Sequence, residues 1–81
     1  MYLHVGEETT VSTKEIIAII DKHSIRSSPF MDKFIHHRQD QIVNLSKGNY
    51  KSVVITQDKV YFSPFSSGTL KKRSKGLFNH D

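Results

Sequence analysis

Short segments rich in β-branched and aromatic residues dominate the pattern of apolar and polar positions along this chain. They lie at residues 42–45, 51–56 and 59–63. Turn-forming Gly, Asn, Asp and Pro bound these segments, which predicts three strands. Gln57 and Asp58 separate the last two segments and predict a tight β-hairpin. A weaker alternation over residues 2–5 predicts a short edge strand, and residues 7–10 predict a turn.

The isoleucine-rich run at residues 16–20 has two interpretations. Ser12 and Glu15 have the spacing of a helix capping box, which favours a helix. However, β-branched residues favour strands, and polar residues at 21–24 end the run too early for a typical helix. We favour the strand, and the helical alternative stays open for residues 12–20.

Ser27, Ser28 and Pro29 form the clearest helix start in the chain. Serine caps the free N–H groups of a first turn, and proline fits the first helical position. We expect this helix to end at residues 38–41. Its apolar side chains recur at helical spacing and predict a buried face. They are Phe30, Met31, Phe34 and Ile35.

A second, short helix is predicted near the C-terminus. Ser66 or Ser67 caps it, and it ends at Arg73. Residues 74–81 lack periodicity and predict a basic, mobile tail. Residues 1–73 are therefore expected to form a single domain.

These elements predict an α+β fold with a small antiparallel sheet of four to five strands, one main helix and a short C-terminal helix. The strands at residues 16–20 and 53–55 are apolar on both faces, whereas one helix covers only one face. We expect a second subunit on the other face, and a homo-oligomeric ring closed through strand edges. The alternative is that loops and the terminal helix cover that face within the chain.

Composition narrows the class of protein. The chain is 36% hydrophobic and 25% charged, which is too apolar for a disordered tail and too polar for a membrane protein. Its longest apolar run, residues 16–20, is far shorter than the roughly 20 residues of a membrane-spanning helix. The start of the chain lacks the features of a secretory signal, and there is no cysteine. We expect a cytoplasmic protein without disulfides or cysteine-based zinc sites.

The net charge of +4 is concentrated in the second half of the chain. Residues 1–40 hold five Lys and Arg against six Asp and Glu, whereas residues 41–81 hold seven against two. Such asymmetry indicates an anionic partner, most commonly nucleic acid, although surface lysines also keep a small protein soluble.

The residues offer little support for catalysis. Asp32, His36 and Asp40 share one face of the predicted helix, but the sequence supplies no groups to support these side chains as ligands of a catalytic metal. No nucleophile elbow and no phosphate-cradling glycine loop is present. We expect no enzymatic activity, no cofactor and no bound metal.

Two basic clusters are candidates for contact with DNA. Lys71, Lys72 and Arg73 form a dense cluster on the terminal helix, suited to phosphate contacts. The segment at residues 47–51 combines Lys47, Asn49 and Lys51 in a turn, and an Asn amide can pair with adenine. A solubilising tail and an ordinary turn remain the alternatives.

An ordered set of segments resembles the RemA/RemB family of extracellular-matrix regulators of spore-forming bacteria, and the RemB branch most closely. The segments lie at residues 2–6, 11–19, 51–56, 61–64 and 67–73, and include the Ser-Val-Val-Ile-Thr and Ser-Gly-Thr-Leu-Lys-Lys-Arg stretches. The resemblance implies a small cytoplasmic regulator of biofilm-matrix genes. It also implies assembly into a ring that binds double-stranded DNA.

The RemA branch uses arginines at two places that the resemblance carries onto this chain. The first falls at Lys14, and the second falls at residues 47–51, where this sequence lacks the arginine pair. One hypothesis is a DNA-binding transcriptional regulator in which Lys14, Lys47, Asn49 and Lys51 line one surface. Lys71, Lys72 and Arg73 are then auxiliary contacts. The alternative is a ring-forming interaction module that acts through a related regulator protein and has lost direct DNA binding.

Overall fold

The computed structural model describes residues 1–78, so the last three residues of the predicted tail lie outside the described residues. The strands are β1 (Tyr2–Gly6), β2 (Thr9–Ser12), β3 (Ile16–Asp21), β4 (Ile42–Asn44), β5 (Ser52–Thr56) and β6 (Val60–Ser63). The α-helices are α1 (Lys22–Arg26), α2 (Pro29–His37) and α3 (Ser67–Phe78). Single 3₁₀ turns at Thr13–Glu15 and Gln39–Gln41 precede β3 and β4. The fold is α+β, as the sequence predicts.

The strands form two sheets, and the prediction of one antiparallel sheet is wrong in both respects. β1 and β2 form a separate two-stranded hairpin, and the larger sheet has the order β3-β5-β6-β4. β4 pairs with β6 in parallel, whereas the other pairs are antiparallel. The physical reason is the path of the chain: α1 and α2 return it to the end of the sheet at which β3 began. β4 therefore runs in the same direction as β3.

The larger sheet has two ends, which the strand register defines. At the cleft end, the last residue of β3, Asp21, pairs with Ser52, which pairs in turn with Ser63. At the turn end, Ile16 pairs with Thr56, and the β5–β6 turn lies beside the starts of β3 and β4. Three connections meet at the cleft end: α1, the loop between β4 and β5, and the start of α3.

The strand interpretation of residues 16–20 is confirmed. The Ser12–Glu15 spacing yields only the short 3₁₀ turn, in which the Ser12 side chain makes no capping hydrogen bond. β3 has a bulge between Ile16 and Ala18, and Ile17 at this bulge is 63% exposed. The turn predicted for residues 7–10 is confined to Glu7 and Glu8, where Glu7 has φ 47°, so residues 9 and 10 belong to β2 instead.

The main helix begins where the sequence predicts. The Ser28 hydroxyl accepts a hydrogen bond from the Met31 N–H at 3.3 Å, and Pro29 is the first helical residue. Met31, Phe34 and Ile35 pack on the core, but Phe30 is 75% exposed, so its place in the predicted buried face is wrong. Helical side chains point towards the N-terminus, and in the first turn this direction carries Phe30 past the packed face.

The other two helices differ from the prediction. The sequence pattern does not predict α1, because residues 21–24 indicate only a polar boundary; the Asp21 carboxylate caps this helix by accepting the His23 N–H at 2.8 Å. α3 is capped by Ser66, whose hydroxyl accepts the Thr69 N–H at 3.1 Å, and it continues past Arg73 to Phe78. Within residues 1–78, no helix combines the length and apolar character needed to cross a membrane.

Both faces of the central strand β5 are covered within the chain. Val54 packs with Leu3, Val5 and other residues of the β1–β2 hairpin, and with Leu70 of α3. On the opposite face, Val53 and Ile55 pack under α1 and α2. The inference that a second subunit must cover one face is therefore wrong for β5, and the alternative in which the chain covers itself is confirmed for this strand. The reason is that the β1–β2 hairpin and α3, distant in sequence, join on the same face.

Candidate nucleic-acid interface

A cleft with a volume of about 380 Å³ opens at the cleft end, between α1 and the loop that joins β4 to β5. Most of its lining side chains are polar or charged. They are Asp21, Lys22, His23, Arg26, Asn49, Tyr50, Lys51 and Ser66. The cleft therefore combines two residues of the predicted site with a chain segment that the sequence analysis did not consider.

Hydrogen bonds hold the loop between β4 and β5 in a defined shape. Asn44 Oδ1 accepts from the Ser46 N–H at 3.0 Å and from its hydroxyl at 2.7 Å, and Ser46 Oγ also lies 3.1 Å from the Gly48 carbonyl oxygen. Further on, the Lys51 N–H donates to the Ser63 carbonyl at 2.9 Å. This shape leaves three of the predicted site residues exposed. They are Lys47, Asn49 and Lys51.

The α1 side of the cleft is attached to the same loop. The Lys22 N–H donates to the Lys51 carbonyl at 3.1 Å, so the two walls meet at a main-chain hydrogen bond. The Lys22 ammonium lies 5.5 Å from the centre of the Tyr50 ring, which packs against Phe62 with 4.6 Å between ring centres. The floor of the cleft thus continues into the hydrophobic core.

Sequence reasoning missed the contribution of α1. Lys22, His23 and Arg26 line the cleft but are not among the candidate site residues, because the sequence pattern does not predict the five-residue helix that carries them. The signal that could have revealed them is Asp21, a strong capping residue placed directly after a strand. Its carboxylate caps α1, and it is the one acidic side chain among the residues that line the cleft.

Lys14 does not join the other predicted residues within one subunit. It lies in the 3₁₀ turn before β3, at the turn end. Lys51 precedes the opposite end of the sheet, and six strand residues separate the two by about 20 Å at ~3.3 Å per residue. Within one subunit Lys14 therefore lies apart from Lys47, Asn49 and Lys51, and a DNA-facing surface that includes all four needs residues from more than one subunit. The reason is that β3 carries the chain along the full length of the sheet.

Three consecutive cations of α3 lie on its exposed side. Lys71, Lys72 and Arg73 are exposed, whereas Leu70 and Ser74 are buried. The Arg73 guanidinium lies 4.8 Å from the centre of the Phe65 ring, a cation–π contact that ties the helix to the segment before it. Because Ser66 lines the cleft, α3 begins beside it.

The two ends of the sheet differ in charge. The cleft end carries four cations, Lys22, Arg26, Lys47 and Lys51, and three carboxylates: Asp21, and Glu7 and Glu8 in the turn that follows Gly6, which packs beside Leu45 and Pro64. The turn end carries three cations, Lys14, Arg38 and Lys59, and three carboxylates, Glu15, Asp40 and Asp58. Among these residues the cleft end has one positive charge in excess, and the turn end has none.

The acidic and histidine residues of α2 do not form a metal site. In the described part of the chain, no three His, Asp or Glu side chains come together in a way that could hold a metal ion, and this includes Asp32, His36 and Asp40. Two of the five histidines, His36 and His37, lie exposed on α2.

Comparison with known proteins identifies the family. A model of the RemA-like family, described as extracellular matrix regulatory protein A-like, matches residues 2–73. Extracellular matrix regulatory protein B of Bacillus subtilis (strain 168) is 38% identical to this chain over 81 residues, which cover 100% of this chain and 99% of the relative. The resemblance that the sequence segments indicate is thus confirmed over nearly the whole domain. The chain belongs to the RemA-like family of extracellular matrix regulatory proteins.

Proposed function

We propose that this protein is a DNA-binding transcriptional regulator of extracellular-matrix genes, acting without catalysis in the cytoplasm as a homo-oligomeric ring. One observation carries the proposal: α1 and the loop between β4 and β5 carry four cations on the two sides of the cleft, and the one carboxylate that lines the cleft, Asp21, is engaged as the cap of α1. An excess of lysine and arginine at one place attracts the phosphate backbone of DNA and supplies affinity independent of sequence.

The loop between β4 and β5 supplies the central contacts of the proposed interface. Lys47 and Lys51 bind phosphates, and Asn49, exposed between them, is suited to a base edge because its amide both donates and accepts. The hydrogen bonds of Ser46 and Lys51 fix the loop before DNA arrives, which lowers the entropic cost of binding.

Other predicted residues act as secondary contacts in this proposal. Lys71, Lys72 and Arg73 lie on the exposed side of a helix that starts beside the cleft, and they extend the basic surface. Lys14 lies at the turn end beside Glu15, so its contribution to DNA affinity within one subunit is small.

The ring multiplies a modest basic surface. β3 is an edge strand of the larger sheet, and Ile17 at its bulge is exposed, which makes this edge the proposed contact between subunits. A few phosphate contacts per subunit then suffice, because linked subunits bind the same DNA at a high effective concentration.

The test is binding to a long duplex DNA across a salt series, on protein whose mass in solution has been measured. The proposal predicts an oligomer whose affinity falls steeply with salt, with a slope of log K against log salt of about −0.9 per phosphate neutralised. The variant Lys47→Glu with Lys51→Glu should lose DNA binding and keep its oligomeric mass. The matched control is Lys33→Glu with Lys59→Glu, which makes the same change in charge at exposed positions outside the cleft.

An oligomer that fails to bind DNA even at low salt contradicts the DNA-binding part of the proposal. That outcome favours the alternative, a ring-forming module that acts through a related regulator. The exposed aromatic ring of Phe30 at the start of α2 and the exposed Tyr2 are suited to such a protein contact. If the loop variant and the control lose DNA affinity to the same extent, that result would also count against a specific role for the loop.

A further inference from the structure

The cleft end contains an arrangement that the loop alone does not explain. Two cations of α1, Lys22 and Arg26, line the same cleft as Lys51, although the three residues come from two separate segments of the chain. We infer that the cleft is a phosphate-binding site in which Lys22 and Arg26 act together with Lys51. This inference rests on the proposed function and deepens it, because it adds α1 to the surface that meets the anion.

The walls of the cleft are held in place before any ligand binds. The Lys22 N–H to Lys51 carbonyl hydrogen bond joins α1 to the loop, and the Lys51 N–H to Ser63 carbonyl hydrogen bond joins the loop to β6. The Asp21 cap fixes the start of α1 from the same side. The backbones that carry Lys22 and Lys51 therefore have a fixed separation, so binding an anion requires ordering of the side chains only.

The chemistry of the lining favours a phosphate over a neutral or cationic group. Three cationic residues line the cleft together with a single acidic residue, Asp21, whose carboxylate is already engaged in capping α1. Arg26 offers a planar fork of N–H donors that matches two phosphate oxygens, and each lysine supplies a mobile point charge. A phosphate is the anion whose charge and oxygen count this set of donors matches.

The size of the cleft and the position of Tyr50 indicate how the phosphate is presented. A volume of about 380 Å³ exceeds what one phosphate needs, so the site has room for the sugar or other group attached to it. The Tyr50 ring already contacts Phe62 and the Lys22 ammonium, so it forms a wall of the cleft and is not free to stack on a base. The site thus binds a phosphate ester, either from the DNA backbone or from a small phosphorylated molecule.

The test compares two variants in two titrations. Lys22→Gln with Arg26→Gln removes the α1 cations and leaves the proposed loop contacts intact, and Lys33→Gln with Lys59→Gln is the charge-matched control. In the first titration, inorganic phosphate is added to the full chain while amide NMR signals are followed. We expect shifts at the cleft residues of wild type and control, and an affinity lower by about tenfold or more in the α1 variant. Unchanged signals away from the cleft show that the variant is folded.

In the second titration, duplex DNA replaces inorganic phosphate. If the α1 variant also lowers DNA affinity and flattens the salt slope, by about 0.9 for each phosphate that it no longer neutralises, the phosphate is that of the DNA backbone. If phosphate binding is abolished but DNA binding is unchanged, the cleft serves a free phosphorylated molecule. Two results together overturn the inference. Inorganic phosphate causes no shift of the cleft signals in the wild type, and the α1 variant binds DNA as tightly as the wild type does. Failure of the wild type to bind DNA overturns the proposed function separately.

Discussion

The two ends of the larger sheet carry basic side chains in similar numbers but use them in opposite ways. At the turn end, Arg38 is a structural residue: its guanidinium donates to the carbonyls of Thr56 at 3.0 Å and Gln57 at 2.9 Å, and to the Gln41 side chain at 2.7 Å. At the cleft end, main-chain hydrogen bonds hold the connections together. The Lys22 ammonium contacts the Tyr50 ring, whereas the exposed side chains of Arg26, Lys47 and Lys51 take no part in these main-chain hydrogen bonds and remain available to a ligand.

The comparison teaches that the position of a cation matters more than the net charge of the chain. At the turn end three carboxylates balance three cations, so that end has little attraction for DNA, whereas four cations at the cleft end exceed the three carboxylates there and two of them, Lys22 and Arg26, line the cleft with Lys51. When charges are counted over the second half of the sequence, Lys59 and Lys51 contribute equally to the positive charge. The fold separates them, since they lie at opposite ends of β5.

The largest expected effect is a loss of stability caused by adding a side-chain carbon at Gly6, which packs beneath the cleft end. Gly6 lies where an added Cβ would come within 2.9 Å of Pro64 Cδ and 3.0 Å of Leu45 Cβ. Gly6→Ala should therefore lower the free energy of unfolding by about 3 kcal/mol, measured by urea denaturation. Gly48→Ala, in the loop itself, is the control, because an added Cβ there meets nothing within 4 Å. Equal stability of the two variants would show that the cleft end does not depend on this packing.

The next largest effect on stability distinguishes a structural arginine at the turn end, Arg38, from an exposed arginine at the cleft end, Arg26. Arg38→Ala removes three hydrogen bonds and the cation–π interaction with the Phe34 ring, at 5.4 Å, and should lower the free energy of unfolding by about 2 kcal/mol. Arg26→Ala at the cleft end should change it by less than about 0.5 kcal/mol, because its side chain is exposed. Thermal or urea unfolding of the pair tests this. A loss of stability in Arg26→Ala as large as in Arg38→Ala would remove the distinction between the ends.

The smallest effect concerns Lys14, which the family resemblance assigns to the DNA surface. Lys14→Glu should lower DNA affinity by less than about tenfold at moderate salt, because nearby carboxylates already balance the turn end. The same assay on Lys51→Glu should give the larger decrease. If Lys14→Glu weakens DNA binding as much as Lys51→Glu, both ends of the sheet contact DNA, and the ring must bring them to one surface.

Local signals in the sequence predicted much of the fold. The Ser28-Pro29 start of α2, the β5–β6 hairpin and the loop at residues 47–51 each depend on residues close together in the chain, and the structure contains all three. The parallel pairing of β4 could not be read in the same way, since it depends on the path of the chain through α1 and α2. The same holds for the covered second face of β5, which depends on packing between segments at the two ends of the domain.

The candidate site was predicted in part for the same reason. Lys47, Asn49 and Lys51 stand in one turn, and turn composition alone indicates their exposure. Lys22 and Arg26 belong to a helix of five residues, too short for its periodicity to be visible in the sequence. Their proximity to Lys51 arises only when β3 and β5 pair, so no local pattern encodes it.

The packing of the β1–β2 hairpin against the far end of the domain has a consequence for how the protein is made. The Ser63 hydroxyl donates to the Val5 carbonyl across 58 positions, and Leu3 and Val5 share a core with Leu70 of α3. During synthesis β1 therefore lacks one of its core partners, Leu70, until α3 has also emerged from the ribosome. Domains usually fold as units once their contacts can form, so this core is complete only when α3 is available. Until then part of the apolar face of β1 is open to chaperones and to neighbouring nascent chains.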